Sequence, residues 1–323
     1  MIYILVLTTL FTLQGIYFLI AERFNIVDKP NDRSSHTLVT LRGGGVVFYF
    51  GALLYFIVSG YEYPWFFIGL TLMAGVSFLD DIFTLSNKVR LFIHFASVLL
   101  MALQLNIFSM PLVYLILAFV IVVGVINAYN FMDGINGITA CYSLAVGGLL
   151  LLVNQEMNFI DGELLVYTIL ALFVFTFFNF RSKAKCFAGD VGSVSIAYIL
   201  LYILGALILK TGNFIYFLFL VVYGVDSIWT IIRRLVLREN IFKAHRSHLY
   251  QFLANEAGVN KLLVSSGYGI VQFVIGLLVI YCAKETSIVQ IWFSLILLVT
   301  LSVVYLILKS YVLRKYVKFN QSK

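Results

Sequence analysis

The sequence predicts an all-α, polytopic integral membrane protein, and three observations lead to this fold class. Hydrophobic residues make up 62% of the 323-residue chain and charged residues only 11%, whereas about a quarter of the residues of a soluble domain are charged. Apolar runs of the length needed for a membrane-spanning helix recur along the sequence. The polar stretches between these runs are short, so we expect one transmembrane domain over residues 1–323.

Eleven apolar runs predict about eleven transmembrane helices, with ten as the alternative count because several runs are short for a bilayer crossing. In chain order they cover residues 2–20, 43–59, 65–79, 90–105, 112–127, 137–153, 164–180, 192–209, 214–232, 264–282 and 288–308. The first run lacks the basic start and the small-residue cleavage site of a signal peptide, so we interpret it as a membrane span.

Basic residues divide the loops between these spans into two sets. Of the 22 lysines and arginines, 20 lie in the loops on one side, and only Lys210 and Lys284 lie on the other. Loops rich in Lys and Arg face the cytoplasm, which predicts an outer N-terminus and a cytoplasmic C-terminus. The net charge of +7 then reflects topology and attraction to the lipid bilayer surface, and we expect no nucleic-acid partner.

Carboxylates stand at three borders of the predicted spans, all on the cytoplasmic side. They are the adjacent Asp80 and Asp81, then Asp133, then Asp190. Charge at the edge of the hydrocarbon is costly and usually functional. The alternative for the adjacent pair is two solvated loop acids. Lys88 follows the pair by seven positions, and on a helix it can return over the same face.

Amide and acid side chains recur every third residue in the next segment, at Asn127, Asn130, Asp133 and Asn136. On an α-helix this spacing gives a slowly turning polar stripe, and Asn130 and Asp133 can point at one object. The alternative is a helix interface at which asparagines hydrogen-bond across the bilayer interior. At Asp190, neighbouring glycines and a hydroxyl at the start of a span allow an N-cap, a phosphate site formed by backbone N–H groups, or both.

The HRSH segment from His245 to His248 adds basic donors on the same side. Two histidines could bind zinc, but zinc sites usually have three or four protein ligands. Anion binding, with Arg246 between the histidines, is the better interpretation. Carboxylates, amides and basic donors with few sulfur ligands favour Mg²⁺ and phosphate groups. The chemistry that uses both is phosphoryl transfer.

Five segments, taken together, resemble the polyprenyl-phosphate N-acetylhexosamine-1-phosphate transferases (glycosyltransferase family 4). They are residues 28–45 (DKPNDRSSHTLVTLRGGG), 78–88 (FLDDIFTLSNK), 127–137 (NAYNFMDGING), 187–193 (FAGDVGS) and 226–251, which ends in HRSHLYQ. The resemblance implies transfer of a sugar-1-phosphate from a UDP-sugar to undecaprenyl phosphate, with release of UMP. It also implies a bacterial inner-membrane location, a periplasmic N-terminus and an active site on the cytoplasmic face.

The first of these segments is most similar to the branch that initiates O-antigen and capsule synthesis. That similarity implies a role in lipopolysaccharide or cell-wall polysaccharide biosynthesis, with an N-acetylhexosamine or a 6-deoxy-N-acetylhexosamine as the transferred sugar. Members of the family often pair, so a homodimer is an alternative to a monomer.

The resemblance also implies roles for individual residues. Asp190 and Asn130 would bind Mg²⁺, for which Mn²⁺ is an alternative, and Asp80 and Asp81 would activate or position the lipid phosphate. The substrate-binding set would be Arg33, His36, Arg42, Lys88, Asn127, Asp133, Asn136, His245, Arg246 and His248. Many bacterial members have an acid where this chain has Asn136.

The competing function class is a secondary membrane transporter. Such proteins also place acids within their spans, but typically near the bilayer midplane and across internal repeats. Here most acids stand at one border, and the sequence shows no internal repeat. Asp226 is the exception, because it lies several residues inside the ninth predicted span. An ionisable residue at that depth is a functional candidate, to which the sequence assigns no role.

Overall fold

The structure is a computed structural model that describes residues 1–30, 35, 38–83, 85–240 and 246–317, and for Asn87 and Val317 it describes the backbone alone. Within these ranges the chain forms twelve α-helices and one two-stranded β-sheet. The helices are α1 (Ile2–Arg23), α2 (Val46–Val58), α3 (Pro64–Phe83), α4 (Asn87–Gln104), α5 (Leu112–Met132), α6 (Ile138–Met157), α7 (Gly162–Asn179), α8 (Gly189–Thr211), α9 (Val221–Val236), α10 (Leu249–Gln251), α11 (Lys261–Cys282) and α12 (Ser287–Val312).

The predicted fold class, an all-α polytopic membrane protein, is confirmed. In the described part of the chain, every predicted span overlaps one helix, and the additional helix is the short α10 in a loop. Nine of these helical segments are long and apolar enough to cross a membrane, if α9 is counted with the 3₁₀ turn Phe214–Leu220 before it. The remaining two helices, α2 and α4, are not among these nine candidate spans. The count of eleven spans therefore stays a prediction, and so does the side of the membrane on which each terminus lies.

Helix α8 lies at the centre of the bundle. Of its most apolar stretch, 83% is buried inside the protein, and it contacts α2, α3, α5 and α6. A helix that is apolar on all sides has to be surrounded by other helices or by lipid. Because α8 is central, its N-terminus, which carries Asp190, is the point at which the ends of the other helices meet.

A small β-hairpin connects α1 to this central point. It pairs β1 (Val27–Asp28) with β2 (Thr40–Leu41) in antiparallel register, and Leu41 also forms a parallel bridge with Cys186. The Phe187 N–H donates to the Leu41 carbonyl at 2.8 Å. The hairpin is therefore hydrogen-bonded to the segment that leads into α8.

Glycines let the start of α2 pack directly on the start of α8. A Cβ atom added to Gly192 would lie 2.6 Å from the Cα atom of Gly45, and the Gly45 N–H donates to the Ala188 carbonyl at 3.1 Å. Only residues without side chains allow two backbones to approach this closely. The RGGG run of the sequence is thus the docking surface between the two helix starts, and it fixes Arg42 beside Asp190.

Candidate active site

Helix ends that are distant in sequence meet at one end of the bundle, where α3 and α5 end and α4, α6 and α8 begin. A pocket of about 220 Å³ lies between them. Five residues of the predicted site line it, namely Arg42, Asn130, Asp133, Asn136 and Asp190. Asp81 contacts two of these lining residues, Arg42 and Asp190, and Asp80 is ion-paired with Arg90. The predicted convergence of the four acids is therefore present in the structure.

Asp81 caps the N-terminus of α8. Its carboxylate accepts the backbone N–H groups of Asp190 at 3.0 Å and Val191 at 3.1 Å, and it pairs with Arg42 Nε at 2.7 Å. The side chain is completely buried. Gly189, at φ +71°, leaves room for it, since a Cβ there would lie 2.6 Å from Asp81 Oδ2. A carboxylate at the positive end of a helix dipole is stabilised, so Asp81, rather than Asp190 itself, is the cap of this helix.

Asp80 fixes the turn between α3 and α4. Its Oδ1 accepts the Leu85 N–H at 2.6 Å, and its Oδ2 pairs with Arg90 Nη1 at 2.8 Å. Sequence reasoning assigned a substrate-binding role to Lys88 and missed Arg90. In the structure Lys88 is exposed, and Arg90, about 200° further around α4, is the residue that faces the acids. The short connection between α3 and α4 could have indicated Arg90, because it places the first turn of α4 next to Asp80 at the end of α3.

Two arginines bracket Asp190. Arg42 Nη2 lies 3.4 Å from its Oδ1, and Arg90 Nη2 lies 3.4 Å from its Oδ2. Each guanidinium therefore joins Asp190 to one member of the adjacent acid pair. Burial alone would lower the pKa of Arg42, but the carboxylates of Asp81 and Asp190 raise it above its ordinary value. Of the three acids, Asp190 is the most exposed, at 17% of its side chain, so it is the carboxylate presented to the pocket.

Asn130 and Asp133 extend the polar wall from the end of α5. Asn130 Oδ1 accepts the Ser193 hydroxyl at 3.1 Å, and its side chain also hydrogen-bonds to Asp190. Asp133 Oδ1 accepts the Thr139 hydroxyl at 2.6 Å. Burial raises the pKa of Asp133 to about 7, although the hydrogen bond from Thr139 opposes the shift. The predicted i, i+3 pair thus does face one pocket.

The other two asparagines of the stripe have different environments. Asn136 lines the pocket, and its Nδ2 donates to the carbonyls of Arg181 at 2.8 Å and Ser182 at 3.3 Å. Two acceptors on one nitrogen require an amide at this position. Asn127 lies one helical turn from Asn130, further into α5, and donates to the Val123 carbonyl of its own helix at 2.9 Å.

The basic loop is placed beside the pocket rather than in its described lining. His248 is buried and its Nδ1 lies 3.3 Å from Asp226 Oδ1, while Arg246 Nη2 lies 3.8 Å from Glu256 Oε1. The predicted substrate contacts Arg33, His36 and His245 are outside the described residues.

Asp28, Asn179 and Gln251 are polar residues of the pocket that received no role from the sequence. Asn179 accepts the Gly137 N–H at 2.7 Å and donates to the Cys186 carbonyl at 2.9 Å, so it joins the end of α7 to the segment before α8. Such contacts between distant segments leave no local pattern in the sequence.

The donor set fits a magnesium ion. Among the described residues there is no group of three or more His, Cys, Asp or Glu that could hold a metal, but Mg²⁺ is usually held by one or two carboxylates together with water and substrate phosphates. Asp190 and Asn130 supply hard oxygen donors. The two arginine contacts to Asp190, at 3.4 Å, are longer than the roughly 2.7–2.9 Å of a strong charge-assisted bond, so both Asp190 oxygens can accept another ligand.

Comparisons with known proteins agree with this geometry. The glycosyl transferase family 4 model matches residues 63–210, a segment that contains all four acids. A probable undecaprenyl-phosphate N-acetylglucosaminyl 1-phosphate transferase from Bacillus subtilis is 26% identical over 92% of this chain and 87% of its own length. The chain is therefore similar to glycosyl transferase family 4 over the segment that carries its four acids.

Other proteins with similar sequences are undecaprenyl-phosphate alpha-N-acetylglucosaminyl 1-phosphate transferases. The protein from Thermotoga maritima is 24% identical over 79% of this chain and 81% of its own length. The protein from Escherichia coli K12 is 28% identical over 60% of this chain and 59% of its own length, so that match spans somewhat more than half of either protein. The predicted superfamily is confirmed, and the narrower O-antigen and capsule branch stays a prediction.

Proposed function

We propose that this protein transfers a sugar-1-phosphate from a UDP-sugar to undecaprenyl phosphate and releases UMP. The observation that carries the proposal is the meeting of four acids and two arginines at the ends of apolar helices. Asp133, Asp190 and Arg42 line one polar pocket, and Asp80, Asp81 and Arg90 are joined to it by ion pairs. Such a site can bind a diphosphate at the membrane surface while the isoprenoid chain of the acceptor stays in the bilayer. The names of the relatives support the same acceptor and an N-acetylhexosamine donor.

The geometry supports different roles for the two adjacent acids. Both oxygens of Asp81 are occupied by the α8 backbone and Arg42, and the side chain is completely buried. We assign to it the positioning of Asp190. Asp80 retains 9% exposure, and its Oδ2 is paired with the partly exposed side chain of Arg90 rather than with backbone. Asp80 is therefore the better candidate to activate or position the lipid phosphate for attack on the β-phosphorus of the UDP-sugar.

The basic residues and the metal would together offset the negative charge of the diphosphate. Asp190 and Asn130 would hold Mg²⁺, which when bound offsets charge on the transferring phosphoryl group. Arg42 and Arg90 are close enough to the same oxygens to contact substrate phosphates and to stabilise the charge that develops on the leaving UMP. We place the site on the cytoplasmic face of a bacterial inner membrane, in line with the distribution of basic residues.

Transport remains the second function class from the sequence, and the described residues offer no observation that favours it. The acids converge at helix ends, and Asp226, the acid inside a span, is hydrogen-bonded to neighbouring side chains and backbone.

Purified protein with Mg²⁺, undecaprenyl phosphate and a panel of donors tests the proposal. UDP-GlcNAc, UDP-GalNAc and their 6-deoxy analogues are compared by UMP release, which we expect to require both donor and lipid phosphate. Asp80→Asn is expected to abolish most of the release, whereas Glu285→Gln, an exposed acid outside the site, is expected to leave it intact. Absence of UMP release with every donor, or transport of an uncleaved UDP-sugar, would overturn the proposal.

A metal titration tests the ligand assignment. Asp190→Asn is expected to raise the Mg²⁺ concentration needed for half-maximal UMP release by at least about tenfold, because a metal ligand loses its charge. Mn²⁺ is titrated in parallel. An unchanged metal requirement removes Asp190 as a ligand.

A further inference from the structure

A buried carboxylate inside α9 collects four hydrogen-bond donors from three parts of the chain. Asp226 is 1% exposed. It accepts from Tyr268 Oη at 2.7 Å, Leu249 N at 3.0 Å and Thr230 Oγ1 at 3.3 Å, and its Oδ1 lies 3.3 Å from His248 Nδ1. A buried carboxylate with this many donors is well stabilised. The arrangement ties α9 to α11 and to the start of α10.

A buried ammonium group on α12 completes the network. Lys309 is 4% exposed, and its Nζ donates to Thr230 Oγ1 at 3.1 Å and to the Tyr305 hydroxyl. These two hydroxyls lie 2.9 Å apart. They therefore bridge Lys309 to Asp226. Each charge alone would be expensive to bury, and each offsets that cost for the other.

Helix α12 has few buried side chains, and two of them belong to this network. Only 6% of its most apolar stretch is buried, and in the described part of α12 the buried side chains are Tyr305, Lys309 and Val312. The helix thus contacts the protein closely at the end that carries the lysine. Because the charged Lys309 is one of these few buried residues, it requires a partner of opposite charge. Asp226 is that partner, through the hydroxyl bridge.

The same carboxylate holds the segment that borders the pocket. Asp226 Oδ1 accepts the N–H of Leu249, the first residue of α10, and Tyr250 and Gln251 follow it in the same helix. Gln251 lines the pocket, and its Oε1 accepts the His248 N–H at 3.2 Å. The Tyr250 hydroxyl donates to the Phe131 carbonyl at 3.0 Å. It also lies against Gly134, where a side chain would not fit.

We propose that Asp226 and Lys309 are positioning residues for the transferase site. Their hydroxyl-bridged ion pair fixes α10, and α10 in turn sets Gln251 in the pocket wall and holds the end of α5, which carries Asn130 and Asp133. The inference deepens the proposed function. It assigns a part in the site to α9 and α12, which lie outside the segment that matches the family.

Hydrogen–deuterium exchange of the substrate-free protein tests the structural half. Asp226→Asn and Lys309→Met are compared with Lys284→Met, which alters an exposed lysine paired with Glu156. Both network variants are expected to exchange about tenfold faster in peptides covering residues 246–256 and 128–134, because local opening becomes easier. The control is expected to match the wild type. Unchanged exchange in residues 246–256 overturns the proposal.

Thr230→Val tests the bridge with both charges kept. We expect it to speed exchange in the same peptides by a smaller factor than the charge variants do. Because Val has nearly the shape of Thr, this variant is expected to fold even if the charge variants do not. The double variant Asp226→Asn with Lys309→Met is expected to be less impaired than the sum of the single effects, because no unpaired buried charge remains. Strict additivity of the two single effects contradicts an ion pair.

Steady-state kinetics tests the functional half. Loss of folded enzyme lowers kcat per mole of protein and leaves KM unchanged, whereas a displaced pocket wall weakens substrate binding. We expect Lys309→Met and Thr230→Val to raise the KM for the UDP-sugar by about fivefold or more. A fall in kcat with unchanged KM in both variants refutes the positioning role. If the wild-type protein releases no UMP, the proposed function fails, and the exchange experiment still decides whether the network positions α10.

Discussion

Arg90 and Asp190 are 100 residues apart in the sequence, and in the fold Arg90 Nη2 lies 3.4 Å from Asp190 Oδ2. Arg42 makes the matching contact to the other oxygen of the same carboxylate. The acid that we assign to the metal is thus flanked by two guanidinium groups. A metal ion and the arginines would compete for its oxygens, and substrate phosphates would offer the arginines a new partner.

Arg90→Gln tests this competition. We expect turnover to fall by about a hundredfold, since a charged group that stabilises developing charge is lost. In the absence of substrate we expect Mn²⁺ to bind more tightly, because the positive charge of Arg90, which repels the metal ion, is removed. Mn²⁺ binding is measured by electron paramagnetic resonance, with Lys88→Gln as the matched control. Equal behaviour of the two variants would contradict a direct role for Arg90.

Asp81→Asn is expected to destabilise the fold as well as lower activity. One amide NH₂ would face the N–H groups at the start of α8 or the guanidinium of Arg42, leaving a buried donor without an acceptor. The cost is about 1–3 kcal/mol, read as a lower melting temperature. Asp80→Asn serves as the comparison and is expected to lower UMP release with a smaller loss of stability. A larger loss of stability in Asp80→Asn than in Asp81→Asn would show that Asp81 is not the capping acid.

Asn136→Asp is expected to destabilise this chain, although the family resemblance of the sequence implies an acid at this position. The new carboxylate would meet the carbonyls of Arg181 and Ser182, both of which now accept from the amide. Unpaired and repelling acceptors cost about 1–3 kcal/mol in a buried site. Thermal unfolding measures the loss, and Asn25→Asp, at an exposed position with φ 53° that Asp tolerates, is the control. Wild-type stability of Asn136→Asp would show that the amide contacts are dispensable.

Gly192→Ala is expected to separate the starts of α2 and α8. The added Cβ would lie 2.6 Å from Gly45 Cα and 2.9 Å from Ala188 Cβ, so a backbone has to move. Overpacking of this kind costs about 1–3 kcal/mol, and Arg42 would be displaced from Asp190. Gly124→Ala, a helical glycine with open space around it, is expected to be neutral or stabilising. Thermal unfolding and UMP release are measured together, and equal values for the two variants would contradict the close packing.

Hydrophobic runs alone predicted the helices, because each run is long, its ends are polar, and a span has a nearly fixed length. The site acids were also predictable, since charge at a membrane border is rare enough to stand out. The contact of Arg90 with these acids was not, because it depends on where α4 begins and therefore on its helical phase. The role of Asp226 depends on α10, α11 and α12 meeting in space, which no local pattern in the sequence encodes.

The bridge between Leu41 and Cys186 has a consequence for how the site is held together. It joins the strand before Arg42 to the segment before Asp190, so the spacing between Arg42 and Asp190 is set by backbone pairing. Arg90 stands on α4, which packs mainly on α3 and is hydrogen-bonded to α8 through Ser97 and Tyr198. The two arginines therefore approach Asp190 from independently supported parts of the fold.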